Sequence, residues 1–388
     1  MKKHSFFQLA AAGMAMVCLV FVGCKKDASN TTGSDLDVTG RAAPNLPATP
    51  FNYANLSLPA YLTTPNINGQ NNTPNNNQIT NNGATLGRVL FYDVNLSANN
   101  TKSCASCHQQ AFSFSDPAQF SVGFNGGLTA RNSMSLLNAR FYPDGRFFWD
   151  ERAASAEAQA SRPIVHPVEM GMTMPGLVIK LQGVGYYPQL FQNAFGTPGI
   201  DSARIVRALA QFVRSAVSFR TKYDTGRAAF PPNQNPGTVN FANFTAQENQ
   251  GKALFFGAGR CNTCHGTETF TSAAPKNNGL DLVYTDNGVG AITGNPAQNG
   301  QFKSPSIRGI EKSGPYMHDG RFATLEQVVE HYSTGLKPHP NLSPELRNPN
   351  GTPHLLNLTA AQKASLVAFL KTLTDTGIAT DVKYSNPF

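Results

Sequence analysis

Charged side chains are scarce in this chain of 388 residues, which has 31 Lys and Arg, 23 Asp and Glu, and a formal net charge of +8. They make up 14% of the sequence, and no basic run is longer than the pairs Lys2-Lys3 and Lys25-Lys26. Proteins that bind nucleic acid gather Lys and Arg in runs or patches, so this composition argues against such a partner. Hydrophobic residues reach 40%, which is enough for packed cores, and the length suggests two or three domains.

Long apolar runs are also scarce, because none after the first, Phe6 to Gly23, is long enough to cross a bilayer. This run follows a short basic start and predicts a signal peptide over residues 1–23. Its end at Gly23-Cys24 resembles a bacterial lipoprotein cleavage site. The resemblance implies an exported, periplasmic protein that meets a membrane only through a lipid on Cys24. An ordinary cleaved signal and an uncleaved anchor are the alternatives.

Cysteine is limited to six residues, of which Cys18 and Cys24 belong to the amino-terminal signal. The other four form Cys104-Ala105-Ser106-Cys107-His108 and Cys261-Asn262-Thr263-Cys264-His265. Cys-x-x-Cys-His is the attachment pattern of c-type haem, in which two thiols bind the vinyl groups and the His binds the iron. A zinc site would leave the position of each His unexplained, while disulfides would suit an oxidising compartment. The pattern therefore predicts two covalently bound haems.

The chain divides into segments of different composition. Residues 24–82 predict a tether and arm rich in Asn and Pro, since nine of the seventeen residues from 66 to 82 are Asn. A more apolar part, 51–62, is expected to pack as an extended arm. Residues 83–230 and 240–388 then predict an N-terminal and a C-terminal haem domain, separated by a stretch rich in Pro and Asn.

Helical patterns dominate both predicted domains. Apolar residues recur at helical spacing from Ile205 to Val217 and around Leu86 to Leu90. Capping-box patterns start helices at Thr245, Thr324 and Thr359, each with Glu or Gln three residues later. Strand-like alternation of comparable strength is absent from the sequence. The predicted fold is all-α, with two cytochrome c-like haem domains and long loops.

Several sequence blocks resemble those of the bacterial di-haem cytochrome c peroxidases and their relative MauG. They include Asn132, the segment Phe148 to Ala153, Gln159, the segment Pro167 to Gly171, and Pro315 to Gly320. Together with both haem motifs they occur in the family's order and extend over residues 83 to about 375.

The resemblance implies a division of labour between the haems. The N-terminal haem on Cys104, Cys107 and His108 would react with hydrogen peroxide, and the C-terminal haem on Cys261, Cys264 and His265 would pass electrons to it. Trp149, the only Trp in the chain, would lie between the haems, and Gln159 and Glu169 would line the peroxide pocket. Calcium would be bound by the Asn132 side chain and the backbone carbonyls of Ser313 and Pro315.

Glu169 also carries an argument of its own. One carboxyl group can take a proton from the near peroxide oxygen and deliver it to the far one if its pKa is near the working pH. An apolar setting between Val168 and Met170 would raise that pKa. The alternative is an ordinary solvated surface acid.

Two departures from the family pattern affect the haem irons. In many di-haem peroxidases a His in the loop after the first haem motif covers the first iron until reduction releases it. No His lies between His108 and Trp149 in this chain. The resemblance therefore implies that the first iron is open without reductive activation. The second haem usually has a Met ligand in this family, but Tyr332 stands at that position, and MauG also has a tyrosine there. A phenolate favours ferric iron. His331 is the rival ligand, but Leu325, Val328, Val329 and Tyr332 share one helix face. The pattern favours Tyr332 and leaves His331 exposed or at an edge.

These features predict a di-haem peroxidase that reduces hydrogen peroxide to water. Its electron donor would be a small periplasmic cytochrome c or a cupredoxin. The alternatives are a MauG-like oxidase that acts on a protein partner and a di-haem electron carrier without catalysis. The family resemblance also leaves a homodimer open.

Overall fold

A computed structural model describes residues 42–388, so the predicted signal peptide and Cys24 lie outside the described residues. None of the helices in this range has the length and apolar character needed to cross a membrane. Extended segments in the same range pair only through isolated bridges, which confirms the all-α fold class. The α-helices are α1 (Pro65–Asn68), α2 (Asn81–Tyr92), α3 (Ala156–Val165), α4 (Met174–Gln182), α5 (Tyr187–Phe195), α6 (Ser202–Ser215), α7 (Lys222–Arg227), α8 (Ala246–Phe256), α9 (Val289–Thr293), α10 (Leu325–Glu330) and α11 (Ala360–Lys371).

The helix starts follow the predicted capping patterns. Thr245, Thr324 and Thr359 each accept a hydrogen bond from the backbone N–H three residues later, and each forms the reciprocal bond of a capping box. The helices predicted from apolar periodicity are also present as α2 and α6. Local sequence signals therefore determine where these helices begin.

Two helix pairs form the centres of two hydrophobic cores. In the first, α2 packs against α6, and in the second α8 packs against α11. A Cβ atom on Gly87 would lie 2.0 Å from the carbonyl oxygen of Ala208, and one on Gly251 would lie 1.8 Å from that of Ser365. Each close crossing thus requires a glycine on the helix that precedes a Cys pair. The two predicted haem domains, 83–230 and 240–388, share this arrangement and are called the first and the second half below.

The Asn-rich segment before α2 differs from the expected tether. Asn72 Nδ2 donates to the carbonyl oxygen of Ala139 (2.8 Å), and Asn77 Nδ2 donates to Glu157 Oε1 (2.7 Å). Gln70 Oε1 accepts from Thr269 Oγ1 (2.8 Å), close to the second Cys pair. The tether prediction is wrong for these residues because their amide groups pair with the body, although the segment buries little apolar surface.

The carboxyl terminus also departs from the predicted domain boundaries. Tyr384 is buried in the first core, where its ring contacts Phe114 and Phe212. Its hydroxyl donates to the carbonyl oxygen of Ser215 (2.7 Å), and Arg88 Nε donates to that of Ser385 (2.7 Å). The last residues of the chain therefore complete the first half and not the second.

A buried ion pair joins the end of the first half to the second. Arg308 is fully buried and donates to both carboxylate oxygens of Asp224, at 2.9 and 3.0 Å. Asp224 Oδ1 also accepts from the hydroxyl of Tyr61 (2.8 Å), which lies on the amino-terminal arm. Arg308 holds the pKa of Asp224 below its usual value although burial alone would raise it.

A second buried pair holds the helix α3. Arg214 is 1% exposed and donates to Glu157 Oε1 (2.5 Å) and Oε2 (3.0 Å). Burial alone would raise the pKa of Glu157, but the hydrogen bonds from Arg214 and its positive charge outweigh burial and lower this pKa to about 2. The pair therefore links α3, α6 and the Asn-rich segment through one carboxylate.

We expect Glu157→Gln to lower the free energy of unfolding at neutral pH by about 3 kcal/mol, because Arg214 loses its buried counter-charge. The folded-state pKa of about 2 lies below the ordinary 4.5. The contribution is thus complete above the ordinary value and is lost as the pH falls toward 2. Urea denaturation of wild type and variant, at about pH 7 and about pH 3, measures both effects.

Glu326→Gln is the matched control, since Glu326 is exposed and its replacement should change stability by less than about 0.5 kcal/mol. Equal stability of wild type and Glu157→Gln at about pH 7 would contradict the argument. So would a difference that persists undiminished at about pH 3.

Candidate functional site

Both Cys-x-x-Cys-His segments adopt the same local structure. The cysteines start single turns of 3₁₀ helix at Cys104–Ser106 and Cys261–Thr263. The backbone N–H of each following His donates to the carbonyl oxygen of the first Cys, at 3.0 Å for His108 and 2.9 Å for His265. All four thiols are free of disulfide bonds. Each segment therefore gathers two thiols and one imidazole within a single tight turn of the backbone.

The imidazole of each segment is fixed by a backbone carbonyl. Nδ1 of His108 lies 3.0 Å from the oxygen of Phe114, and Nδ1 of His265 lies 3.4 Å from that of Phe270. A carbonyl can only accept, so Nδ1 carries the proton and Nε2 keeps its lone pair. Burial lowers the pKa of both rings, to about 4 for His265. Two neutral imidazoles are thereby ready to bind metal through Nε2.

A large cavity lies beside the second segment. Cys261, Cys264 and His265 form part of its wall, and most of the remainder is apolar. The four residues that share one face in the sequence pattern all line it, as do side chains of α8 and α11: Leu325, Val328, Val329, Tyr332, Phe255, Leu366 and Leu370. Two thiols, one neutral imidazole and an apolar wall fit a covalently attached haem.

Tyr332 and His331 point to different surroundings. Tyr332 lines the same cavity as the two thiols, whereas His331 is not among the residues that line it. His331 is 6% exposed, and its Nε2 donates to the carbonyl oxygen of Asn278 (2.9 Å). The expectation of an exposed or edge His331 is wrong, because a hydrogen bond to a loop carbonyl satisfies the ring inside the protein. Burial raises the pKa of Tyr332, and a hydrogen bond from the Asn278 side chain partly opposes this.

Trp149 lies in the wall of the same cavity. Its Nε1 donates to the carbonyl oxygen of Asn132 (2.8 Å), and its own carbonyl oxygen accepts from the backbone N–H of Lys303 (2.8 Å). The indole packs against Leu280 and Phe302. The chain's single Trp is therefore anchored by backbone bonds on both sides.

A buried polar group beside Trp149 has no signal in the sequence. Lys303 Nζ lies 3.4 Å from the ring centre of Tyr142 and donates to the carbonyl oxygen of Arg146 (2.6 Å). Burial lowers the pKa of Lys303 to about 7, although the charges of Glu151 and Asp144 oppose this. Only the tertiary contacts distinguish this lysine from an ordinary surface residue.

The three predicted calcium residues, Asn132, Ser313 and Pro315, all line this cavity. Asn132 Nδ2 donates to the carbonyl oxygens of Ala118 (3.0 Å) and Gln119 (3.2 Å), and its Oδ1 accepts no hydrogen bond from residues 42–388. An amide oxygen such as Asn132 Oδ1 is a donor type that suits Ca²⁺. Within the described range no cluster of three His, Cys, Asp or Glu side chains could hold a metal.

Glu169 lies close to the first Cys pair. Burial, and then neighbouring charges that include Glu169, raise the pKa of Cys104 to about 12 and also raise that of Cys107. Glu169 has a side chain 27% exposed, with Oε1 3.5 Å from Nδ1 of His166. Burial raises the pKa of Glu169, while the charges of His166 and Arg152 oppose the rise. The carboxyl group is thus half-buried and biased toward its protonated form.

Gln159 is positioned by α3, which ends at Val165, four residues before Glu169. Its side chain is half-buried and forms no hydrogen bond to Glu169. The two predicted pocket residues therefore belong to one short segment of chain but act separately in this structure.

Comparison with known proteins places these features in a family. A family model described as di-haem cytochrome c peroxidase matches residues 81–228. The methylamine utilization protein MauG of Methylorubrum extorquens is 37% identical over 303 residues, which cover 77% of this chain and 80% of that protein. The chain belongs to the di-haem cytochrome c peroxidase family.

A second sequence relative and a solved structure support this family membership. Cytochrome c551 peroxidase of Nitrosomonas europaea is 33% identical over 251 residues, which cover 64% of this chain and 71% of that protein. The crystal structure of a MauG-like protein associated with microbial copper homeostasis superposes with a TM-score of 0.73 and 31% identity. That likeness covers 86% of this chain and 99% of the other.

Family membership has two consequences for this chain. The family consists of haem oxidoreductases with two c-type haems, and the two Cys-x-x-Cys-His segments fit that number. Its members include both MauG proteins and peroxidases, so membership alone leaves the choice between these activities to the site residues.

Proposed function

We propose that this protein is an exported di-haem peroxidase that reduces hydrogen peroxide to water. The reaction consumes one peroxide, two protons and two electrons and yields two water molecules. The electrons would come from a small periplasmic cytochrome c or a cupredoxin. The observation that carries the proposal is Glu169, a carboxyl group of raised pKa beside the first Cys pair.

Each haem would be held by one Cys-x-x-Cys-His segment. Cys104 and Cys107 would form the thioethers of the first haem, and Cys261 and Cys264 those of the second. His108 and His265 would bind the irons through Nε2, since their Nδ1 atoms face carbonyl oxygens. When bound, the haems supply a metal that binds peroxide and a route for electrons.

Glu169 would act as the general base and general acid at the first haem. It would take the proton from the peroxide oxygen nearer the iron and return it to the far oxygen as that atom leaves as water. A half-buried carboxyl group with a raised pKa both accepts and returns a proton more readily than an ordinary surface carboxylate, which stays ionised. Gln159 would hold the peroxide by hydrogen bonding, and Trp149 would relay electrons between the haems.

Tyr332 would be the distal ligand of the second haem. It lines the same cavity as Cys261, Cys264 and His265, and the rival His331 is turned toward the carbonyl oxygen of Asn278. A phenolate would favour the ferric state and lower the potential of the electron-transfer haem.

A MauG-like oxidase that acts on a protein partner is the second candidate. The ligand position of Tyr332 and the 37% identity to MauG of Methylorubrum extorquens favour it. Catalytic turnover with a small reduced cytochrome c supports peroxidase activity, whereas rapid reaction with peroxide and no such turnover supports the oxidase.

The location of the protein follows from its first residues. We propose that residues 1–23 are removed as a signal peptide and that Cys24 carries a lipid anchor in the periplasm. Both features lie outside the described residues. A homodimer remains a proposal that size-exclusion chromatography with light scattering can test.

We expect Glu169→Gln to slow the reaction of the fully oxidised protein with peroxide by about 100-fold or more, the scale of lost general acid–base catalysis. The wild-type rate should fall as the pH drops through a pKa above 4.5, because the base must be unprotonated, and the variant should lack this limb. Stopped-flow haem absorbance after mixing with hydrogen peroxide measures both.

Glu326→Gln is again the matched control and should react at the wild-type rate. Unchanged kinetics in Glu169→Gln would remove Glu169 from the mechanism. If the oxidised wild type reacts only after partial reduction, a protein ligand covers the first iron. If it reacts in neither state, the protein is an electron carrier and not an enzyme.

The calcium site provides a separate prediction. Asn132→Leu removes the side-chain oxygen and should lower the affinity for calcium by at least about 10- to 100-fold. Isothermal titration of the chelator-treated holoprotein with calcium chloride measures this affinity. Asn76→Leu, at an exposed position, should bind calcium as the wild type does. Equal affinity in Asn132→Leu, or no binding by the wild type, would rule out this site.

A further inference from the structure

A short loop follows each Cys-x-x-Cys-His segment and carries the carbonyl oxygen that the histidine Nδ1 faces. The loop after the second segment, residues 266–271, is called the second proximal loop below, and an isolated bridge joins its two ends. Its Phe270 carbonyl oxygen lies 3.4 Å from Nδ1 of His265, whereas the matching distance at His108 is 3.0 Å. The bond at His265 is thus near the upper limit for a hydrogen bond, so a small displacement of the loop would break it.

The second proximal loop holds two residues in an unfavourable backbone conformation. Thr267 has φ +58° and Phe270 has φ +52°. Left-handed backbone is rare for a β-branched or bulky side chain, and it persists only where surrounding contacts enforce it. The loop should therefore relax, and carry the Phe270 carbonyl away from His265, when such contacts are removed.

Gln70 supplies contacts of this kind from the amino-terminal arm. Its side chain is buried, and its Oε1 accepts a hydrogen bond from Oγ1 of Thr269 (2.8 Å). Its carboxamide also reaches Oγ1 of Thr267 (3.4 Å), and the two threonine hydroxyls lie 2.8 Å from each other. One carboxamide and two hydroxyls therefore form a closed hydrogen-bond network that includes one of the two residues with positive φ.

The arm is anchored to the first half on both sides of Gln70. Ile67, three residues earlier, is buried in a small hydrophobic core that includes Phe141. Asn72, two residues later, donates to the carbonyl oxygen of Ala139 (2.8 Å). Gln70 thus starts from a fixed position on the first half and restrains a loop of the second half.

The loop after the first segment, residues 109–115, is supported by the other end of the chain. Gln110 Nε2 donates to the carbonyl oxygens of Ile378 (2.8 Å) and Asp381 (2.9 Å), which belong to the carboxyl-terminal tail. The tail therefore supports the first loop and the arm supports the second. A change at Gln70 should consequently act on the second haem and not on the first.

We propose that Gln70 is a positioning residue that holds the second proximal loop against His265 and thereby keeps the potential of the second haem low. A hydrogen bond donated by Nδ1 makes the imidazole a more basic ligand, which stabilises ferric iron. The inference rests on the proposed ligation of the second haem by His265. It gives the Asn-rich arm a task in electron transfer.

The test compares Gln70→Leu with wild type in the haem-loaded protein. The variant fills a similar space but loses the carboxamide, so the strained loop can relax and the hydrogen bond to His265 is lost. The ferrous form of the second haem should be favoured about tenfold, which is a rise of about 59 mV in a one-electron midpoint potential. The potential of the first haem should not change. Potentiometric titration followed by the optical spectra of the two haems measures both potentials.

Thr269→Val tests the same network from the loop side, because it removes the hydroxyl that Gln70 Oε1 accepts and keeps the shape of the side chain. It should raise the same potential. Gln70→Leu/Thr269→Val should raise it no further than the larger single effect, since both changes break one network. If Gln70→Leu does not yield holoprotein, Thr269→Val alone decides the question.

Gln78→Leu is the matched control. Gln78 lies in the same arm but is exposed, and its side chain donates to the carbonyl oxygen of Pro74 (3.1 Å) within the arm. Both haem potentials should stay at their wild-type values in this variant. A shift in Gln78→Leu, or an equal shift of both haems in Gln70→Leu, would indicate general loosening of the fold and would overturn the role of Gln70.

Failure of this inference can be told from failure of the proposed ligation. If magnetic circular dichroism of the wild-type holoprotein shows no histidine ligand on the second haem, both proposals fall. If it shows histidine ligation while Gln70→Leu and Thr269→Val leave the potential of the second haem unchanged or lower it, only the role of Gln70 is overturned. The potentials are measured without peroxide, so absence of peroxidase turnover does not affect this test.

Discussion

The bond between each histidine Nδ1 and a backbone carbonyl is the interaction on which the rest of the site depends. His108 and His265 each face a carbonyl five or six residues further along the chain, across a tight loop that an isolated bridge closes. This bond fixes the tautomer and the direction of Nε2 before any metal is present. Because the proximal side is thereby defined in the same way twice, the differences between the two centres have to arise on the distal side. There the halves diverge, with a half-buried Glu169 near the first and Tyr332 in an apolar wall at the second.

The two distal environments suit different tasks for a physical reason. A carboxyl group that moves protons needs contact with water and a pKa close to the working pH, and Glu169 has partial exposure and a raised pKa. An electron-transfer centre gains from exclusion of water, since a dry site needs little reorganisation when its charge changes. The cavity beside the second Cys pair is lined mainly by apolar side chains, among them those of α8, α10 and α11. One helical plan with a glycine crossing can therefore support both tasks by changing residues between each Cys pair and the second helix of its crossing, α6 or α11.

Sequence reasoning was most successful where the signal is local. The capping threonines, the helix α6 and the face that Tyr332 shares with Leu325 follow from short-range spacing, and each is present. It failed where long-range polar contacts decide. The Asn-rich segment is poor in apolar residues, yet its amides pair with the body, a form of stabilisation that composition does not reveal. His331 and Asn278 likewise became informative only through a hydrogen bond between positions 53 residues apart.

Buried hydrogen bonds and ion pairs between the two halves fix how the halves are placed against each other. A buried ion pair such as Asp224 with Arg308 adds little net stability over apolar packing, but it tolerates few alternative arrangements. Trp149 depends on the same junction, since its indole N–H bonds Asn132 and its carbonyl oxygen bonds Lys303, from opposite sides. A shift of one half against the other would break one of these bonds. A relay between two redox centres requires a constant distance, so the contacts that hold the halves in register would also serve the electron-relay role that we propose for Trp149.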